Sequence, residues 1–238
     1  MGIEGAMRTL DVLDNVGLNH TGSYRNIEEK ESLKIIEVEG IKIAVLSYIT
    51  STNYYKPERF GDDLLYISSL MPKEANPYYD KLMKEIEKDF EQAKNSKVDL
   101  IMVMPHMGTQ FKHTTNAFQK KFNQLFSDLG ADIVLGDHAL AVQPIEYIND
   151  TLIINCPGNF ANSYIEKNGD APAIVKIYID HKSKKVNATS VIPMYTQEFE
   201  NRNFRAVPIY KFVTDDDLFF TLNSSEQSRM FEVQKLVS

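Results

Sequence analysis

Two histidines stand where a metal-binding or catalytic loop would place them. His106 lies in Pro105-His106-Met107-Gly108 and His138 in Gly136-Asp137-His138-Ala139-Leu140. Each follows a short apolar run, Val98 to Met104 and Asp132 to Leu135. Neutral imidazole is the commonest nitrogen ligand for zinc, iron or manganese-like ions, and a loop after a strand aims the ring without burying it. Two such loops at one sheet edge can share an ion. The competing reading is structural: a single histidine beside an apolar strand is more often a hydrogen-bonded packing residue, by roughly two to one.

What must position these loops is legible in the surrounding pattern. Phe118, Phe122, Leu125, Phe126 and Leu129 form a helical stripe that ends at Gly130, so the order is strand, helix, strand. Such a crossover makes the two strands parallel and right-handed, which brings Pro105 to Gln110 and Gly136 to Leu140 out at the same edge, and the two imidazoles are expected in one cleft. Ahead of this unit, Ile3, Met7, Leu10 and Leu13 predict a helix closed by Gly17. Leu33 to Val38 and Ile41 to Leu46 predict a hairpin turning at Glu39-Gly40. Thr50 to Asn76 has no sustained period and reads as a long irregular excursion with room for a functional loop. Asn76-Pro77 then opens a helix running to Lys94. Ile145 to Ile148 with Leu152 to Ile154, and Ala173 to Ile179 with Val186 to Ile192, predict two more hairpins. Beyond Asp215 only a weak helical pattern remains, through Met230, Phe231, Val233 and Leu236.

Composition narrows the function classes. The 238 residues carry 26 Lys and Arg against 33 Asp and Glu, a net charge of −7, so no sequence-wide basic field exists to attract nucleic acid. The longest uncharged stretches, such as Thr151 to Ile165, fall short of the roughly 18 apolar residues of a spanning helix. Met1 leads into Gly2-Ile3-Glu4-Gly5 without the basic and apolar regions of a signal peptide. The single cysteine, Cys156, excludes an internal disulfide and has no basic neighbour in sequence to make it a nucleophile. Serine-hydrolase elbows, phosphate-binding P-loops and dinucleotide fingerprints are missing from the sequence.

A set of short motifs goes further. His20-Thr21-Gly22-Ser23-Tyr24-Arg25-Asn26, Pro105-His106-Met107-Gly108, Gly130 to His138, Gln143-Pro144-Ile145-Glu146 and Gly158-Asn159-Phe160 occur in one order and spacing. This resembles the poly-γ-glutamate capsule synthesis family of the CapA type. The resemblance runs from about Gly2 to about Pro208 and is most specific between Gly130 and Phe160. It implies an α/β fold, a metallophosphatase-like αββα sandwich lacking its N-terminal strands. Residues 1–210 would be the C-terminal part of that domain, with 211–238 a tail containing a short helix.

The resemblance also implies roles. His106 and His138 match metal-ligand positions, for manganese, zinc or iron. His20, Arg25 and Asn159 match a loop and a strand end beside the presumed site and would bind substrate, Arg25 by gripping a carboxylate or phosphate bidentately. Each has a plain alternative: a glycine-permitted turn with a solvated arginine, and an Asx turn at Asn159 with Phe160 in the core. Gln143 and Glu146 would orient the His138 loop, or simply face solvent on a hairpin. In the family an Asn-His motif and an acidic motif precede the segment matched by Met1 to Gly5, and His138-Ala139-Leu140 usually reads His-Pro-His. Leu140 therefore replaces an expected imidazole, and two histidines fall below the ligand count of a stable catalytic ion, so metal binding is expected to be weak or nil.

The implied function is capsule or poly-γ-glutamate biosynthesis. The longer form would be a metal-dependent phosphoesterase-like hydrolase, membrane-associated outside the cytoplasm, acting on an anionic polymer or phosphoester alongside capsule synthesis and export machinery. The alternative is a noncatalytic binding or scaffolding subunit of that machinery, which Leu140 favours.

Overall fold

The computed structural model describes residues 2–51, 61–161, 168–199 and 203–237. Its helices are α1 (Ile3–Asn15), α2 (Ile27–Glu31), α3 (Leu64–Ile67), α4 (Tyr79–Asn95), α5 (Ala117–Asp128), α6 (Ile209–Thr214), α7 (Asp216–Phe219) and α8 (Ser224–Val237). Its strands are β1 (Ile35–Val38), β2 (Ile41–Ile49), β3 (Leu100–Met107), β4 (Ile133–Leu135), β5 (Asp137–His138), β6 (Ile145–Ile148), β7 (Thr151–Ile154), β8 (Ala173–Ile179), β9 (Val186–Phe199) and β10 (Asn203–Pro208). The chain divides into two compact units. The first comprises Met1–Met107, Phe122–Leu135 and Tyr147–Ile153; the second comprises Gly108–Lys121, Gly136–Glu146 and Ile154–Ser238.

The first unit is built on a mixed sheet whose main path runs β1-β2-β3-β4-β7-β6. β1 and β2 are antiparallel around Glu39 (φ 50°) and Gly40 (φ 73°), the paired left-handed residues a tight hairpin turn requires. β2 runs parallel to β3 from Ile43↔Leu100 to Ile49↔His106, and β3 runs parallel to β4. The strand, helix, strand reading therefore holds, with α5 as the crossover. Leu82, Ile86, Phe90 and Ala93 recur at helical spacing on α4 and are all buried. Phe90, Phe122 and Tyr48 surround the Phe126 ring at centroid distances of 6.1, 5.8 and 5.6 Å. Burying each such ring is worth roughly 2–3 kcal/mol relative to exposure, so this cluster anchors both helices to the sheet. α4 starts two residues later than Pro77 suggests, because the Asn76 side chain accepts from Tyr78 N at 2.8 Å and closes an Asx turn first.

The irregular excursion is more ordered than its sequence implies. Residues 52–60 lie outside the described set, but Gly61–Asp63 forms a 3-10 turn leading into α3. Leu70 then bridges Ile49 in parallel. Leu64, Leu70 and Leu82 bury one another here, a contact no local period could announce.

In the second unit β8, β9 and β10 form an antiparallel meander. β9 runs past Ile192, the expected end, to Phe199, and its buried residues join the C-terminal helices. Ala171, Tyr195, Ile209, Phe212, Leu222, Met230 and Val233 form one core cluster. Arg229 closes it with a two-point grip on Asp170, 2.8 Å to each oxygen. The segment beginning at 211 thus starts inside α6 and packs with residues from Ala171 onward. A mixed central sheet with flanking helices is the α/β class the resemblance implies, and is consistent with a metallophosphatase-like fold.

Candidate functional site

Four segments of the first unit meet at the carboxyl ends of β2 and β3. Thr21, Gly22 and Ser23, then Ser47, Tyr48 and Ile49, then Ser68 and Ser69, then His106 line an open cavity of about 220 Å³. Ligands bind outside the carboxyl ends of parallel strands because the side chains and loop amides there are not consumed by the sheet. Backbone bonds lace the segments: Ser69 N donates to Gly22 O, Ile49 N to Ser69 O and Met71 N to Ile49 O, each at 2.9 Å. Gly22 (φ +94°) lies against β2, where an added Cβ would sit 3.1 Å from Ser47 Oγ. Only glycine brings this loop so close in that conformation.

Of the sequence-predicted residues, His106 reaches this cavity and is half-buried. His20 and Arg25 flank the loop without lining the cavity. His20 Nε2 pairs with Asp14 at 3.1 Å, and its Nδ1 is buried with no partner among the described residues. Arg25 binds Asp11 (3.0 Å), Asp14 (2.6 Å) and Glu29 (2.6 Å). These bonds, Asp11's first, hold the guanidinium proton more firmly than usual, and Arg25 and His20 hold the Asp14 carboxyl below its ordinary range. The guanidinium thus ties α1 to α2.

A second, water-sized space shares Tyr48, Ser68 and Ser69 with the cavity and is backed by Lys30, Glu85 and Asp89. Lys30, almost wholly buried, bonds Glu85 and lies 3.4 Å from Asp89, while Tyr48 donates to Asp89 at 3.0 Å. Burial raises the Asp89 pKa despite Lys30 and Tyr48, and burial, followed by the Asp89 charge, pushes the Tyr48 phenol well up.

The remaining candidates belong to the second unit. His138, on β5, has φ 88° and Leu140 has φ 57°, a left-handed geometry uncommon for such residues, with fully buried Ala139 between them. Gly136 is required: its Cβ would stand 2.2 Å from the Asn155 carbonyl oxygen. Gln143 is buried, and its amide is fully committed, accepting from Gln119 at 2.7 Å and donating to the carbonyls of Lys112 (3.0 Å) and Thr114 (3.2 Å). It orders the 108–116 loop. Glu146 accepts from Asn155 at 2.8 Å on an exposed strand. Asn159 is buried whereas Phe160 is 53% exposed, so the expected placement of Phe160 in the core is corrected. Gly158 explains this: at φ +88°, a Cβ there would lie 2.9 Å from Pro172, and the close turn directs Asn159 inward. Burial raises the Cys156 pKa, which suits an inert thiol.

The donor set bears on the implied metal. The described lining residues of the cavity offer one imidazole and several neutral hydroxyls, with no carboxylate or thiolate among them, whereas zinc, iron and manganese sites take three or more nitrogen, sulfur or carboxylate ligands. Among the described residues no three His, Cys, Asp or Glu side chains gather to hold an ion. The described lining residues by themselves do not fit the group. Sequence reasoning missed Ser47, Ser68 and Ser69; Ser47's place at the end of an apolar strand was the available signal.

With this geometry, the chain belongs to the bacterial capsule synthesis protein family PGA_cap, which matches residues 1–164. Among its relatives, the capsule biosynthesis protein CapA of Bacillus anthracis is 22% identical over 203 residues, covering 83% of this chain and 45% of that protein. The PGA biosynthesis protein CapA of Bacillus subtilis (strain 168) is 25% identical over 162 residues, covering 67% and 38%. The chain spans less than half the length of either. Among solved structures, a hypothetical protein from Thermus thermophilus superposes with TM-score 0.39 at 11% identity, covering 68% of this chain and 60% of that one. GAP50, the anchor in the inner membrane complex of Plasmodium, gives TM-score 0.35 at 11% identity, covering 87% and 59%.

Proposed function

We propose that the chain serves the synthesis of an anionic capsule polymer of the poly-γ-glutamate type, as a binding component of the synthesis and export machinery rather than as a phosphoesterase. Membership of the capsule synthesis family supports the polymer role. One observation carries the choice of binding over hydrolysis: the described polar side chains lining the cavity at the carboxyl ends of β2 and β3 are hydroxyls and one imidazole, groups that hold an oxygen-rich ligand but do not by themselves assemble a metal-activated water. A capsule lies outside the cell, so this reading sets the work there. No helix among the described residues is long and apolar enough to cross a membrane, and membrane association in this reading runs through another segment or a partner.

The test measures metal content after dialysis and turnover of a chromogenic phosphodiester, with manganese or zinc added, for the chain, His106→Ala and Leu140→His. The expected result is turnover that His106→Ala leaves unchanged, with little gain in Leu140→His. Stoichiometric metal with His106-dependent turnover in the unmodified chain would put the phosphoesterase first.

A further inference from the structure

We propose that the cavity beside His106 is a subsite for a single carboxylate of the polymer, held by the hydroxyls of Ser23, Ser68 and Ser69. The inference rests on the polymer-binding reading above and names the group this cavity takes. Ser69 is only 8% exposed as a residue, and it lines the cavity together with Ser23 and Ser68; none of the three hydroxyls is bonded to a described residue, and the Ser69 hydroxyl is not among the enclosed polar atoms, so it opens to the cavity. Hydroxyls open toward a cavity and not spent on the protein are donors available to an acceptor. By contrast, Thr21 already meets Tyr24 Oη at 3.0 Å, which holds the loop in place.

Size and charge select the ligand. About 220 Å³ is below the roughly 300–1,000 Å³ of pockets that enclose a drug-sized molecule, and suits one small group on a longer chain. None of the described lining residues is acidic, so an anion meets no like charge among them. The acids behind the shared wall, Glu85 and Asp89, are paired with buried Lys30. None of the described lining residues is Lys or Arg either, and the arginine of the adjoining loop is bound to three carboxylates. A phosphate, carrying up to two charges, is normally met by arginine or lysine. A carboxylate carries one charge on two oxygens and is satisfied by two to four neutral donors, which is the set present. One such contact is weak, and a polymer repeating the group gains through local concentration.

The experiment titrates isotope-labelled chain with a γ-linked glutamate oligomer of about ten residues, with the same oligomer amidated at its free carboxyls, and with inorganic phosphate, following backbone amide resonances. Saturable shifts confined to Ser23, Ser47, Ser68, Ser69 and their neighbours are expected with the acidic oligomer alone. A Ser68→Ala, Ser69→Ala double variant should bind at least about tenfold more weakly, because a hydrogen bond to a charged group is worth roughly 1.5–3 kcal/mol. A thermal melt checks its fold, and the mapping on unmodified chain decides the matter independently. Equal binding of the amidated oligomer, tighter binding of phosphate at the same residues, or oligomer shifts mapping elsewhere would overturn the subsite while leaving polymer binding in place. Absence of any oligomer shift would overturn both.

Discussion

The cavity beside His106 and the amide cluster around Gln143 are both polar and both partly enclosed, yet they treat their hydrogen-bonding groups in opposite ways. Around Gln143 each polar end of the side chain is matched, to Gln119 and to the carbonyls of Lys112 and Thr114. Beside His106, the hydroxyls of Ser68 and Ser69 face open space without a partner among the described residues. A buried amide that is fully bonded rigidifies the loop it holds, and its removal exposes the desolvation cost of every group it served. An unbonded hydroxyl at a cavity contributes little to folding and remains available to a ligand. The first arrangement is architecture and the second leaves donors free for a ligand.

Substitutions can break this contrast. The largest loss is expected at Gly136→Ala, beside the amide cluster, because its Cβ would collide with the Asn155 carbonyl oxygen. Forcing the backbone apart should cost about 3 kcal/mol in denaturant-induced unfolding. A near-neutral result would mean that the 136–140 loop is not fixed as described. Gln143→Ala should follow at about 2 kcal/mol, since it strands the Gln119 amide and two carbonyls. Hydrogen exchange should rise in 112–116, and unchanged protection there would refute its loop-ordering role.

Asp89→Asn probes the charged space behind the cavity through pH. Asp89 is held above its ordinary pKa in the folded chain, chiefly by burial. Its protonated form therefore adds stability that is complete below the unfolded value and is lost as pH rises from there through the raised folded value. The melting temperature of the unmodified chain minus that of Asp89→Asn should accordingly fall across that window. A rise would show that the Lys30 pairing outweighs desolvation. The smallest effect is expected at Ser69→Ala, below about 0.5 kcal/mol, because no bond is lost. A loss as large as that of Gln143→Ala would mean the Ser69 hydroxyl is structural after all.

The parallel β3 and β4 and the crossover α5 were legible because a fully buried strand reads as an apolar run and a packed helix as a 3.6-residue stripe, whereas β2 was legible as a hairpin arm but not as the parallel neighbour of β3. His106 was legible as the residue such a strand delivers to its carboxyl end. Ser68 and Ser69 were not, because they sit in a segment without a period, positioned by the Ile49↔Leu70 bridge and the Gly22 carbonyl. Arg25 drew attention as an anion-gripping side chain, but its partners lie eleven and fourteen positions back as well as on α2, and only folding shows them occupied.

The sequence alone determined the α/β class, the order of its principal strands and helices, the hairpin turn at Glu39-Gly40 and the family motifs, because each is written in neighbouring residues or short periods. Tertiary structure decided which polar groups are spent and which stay open. Gln143 and Ser69 are both buried polar residues, and what separates them is the company brought by distant segments, since a hydrogen bond depends on a partner within about 3 Å rather than on residue type.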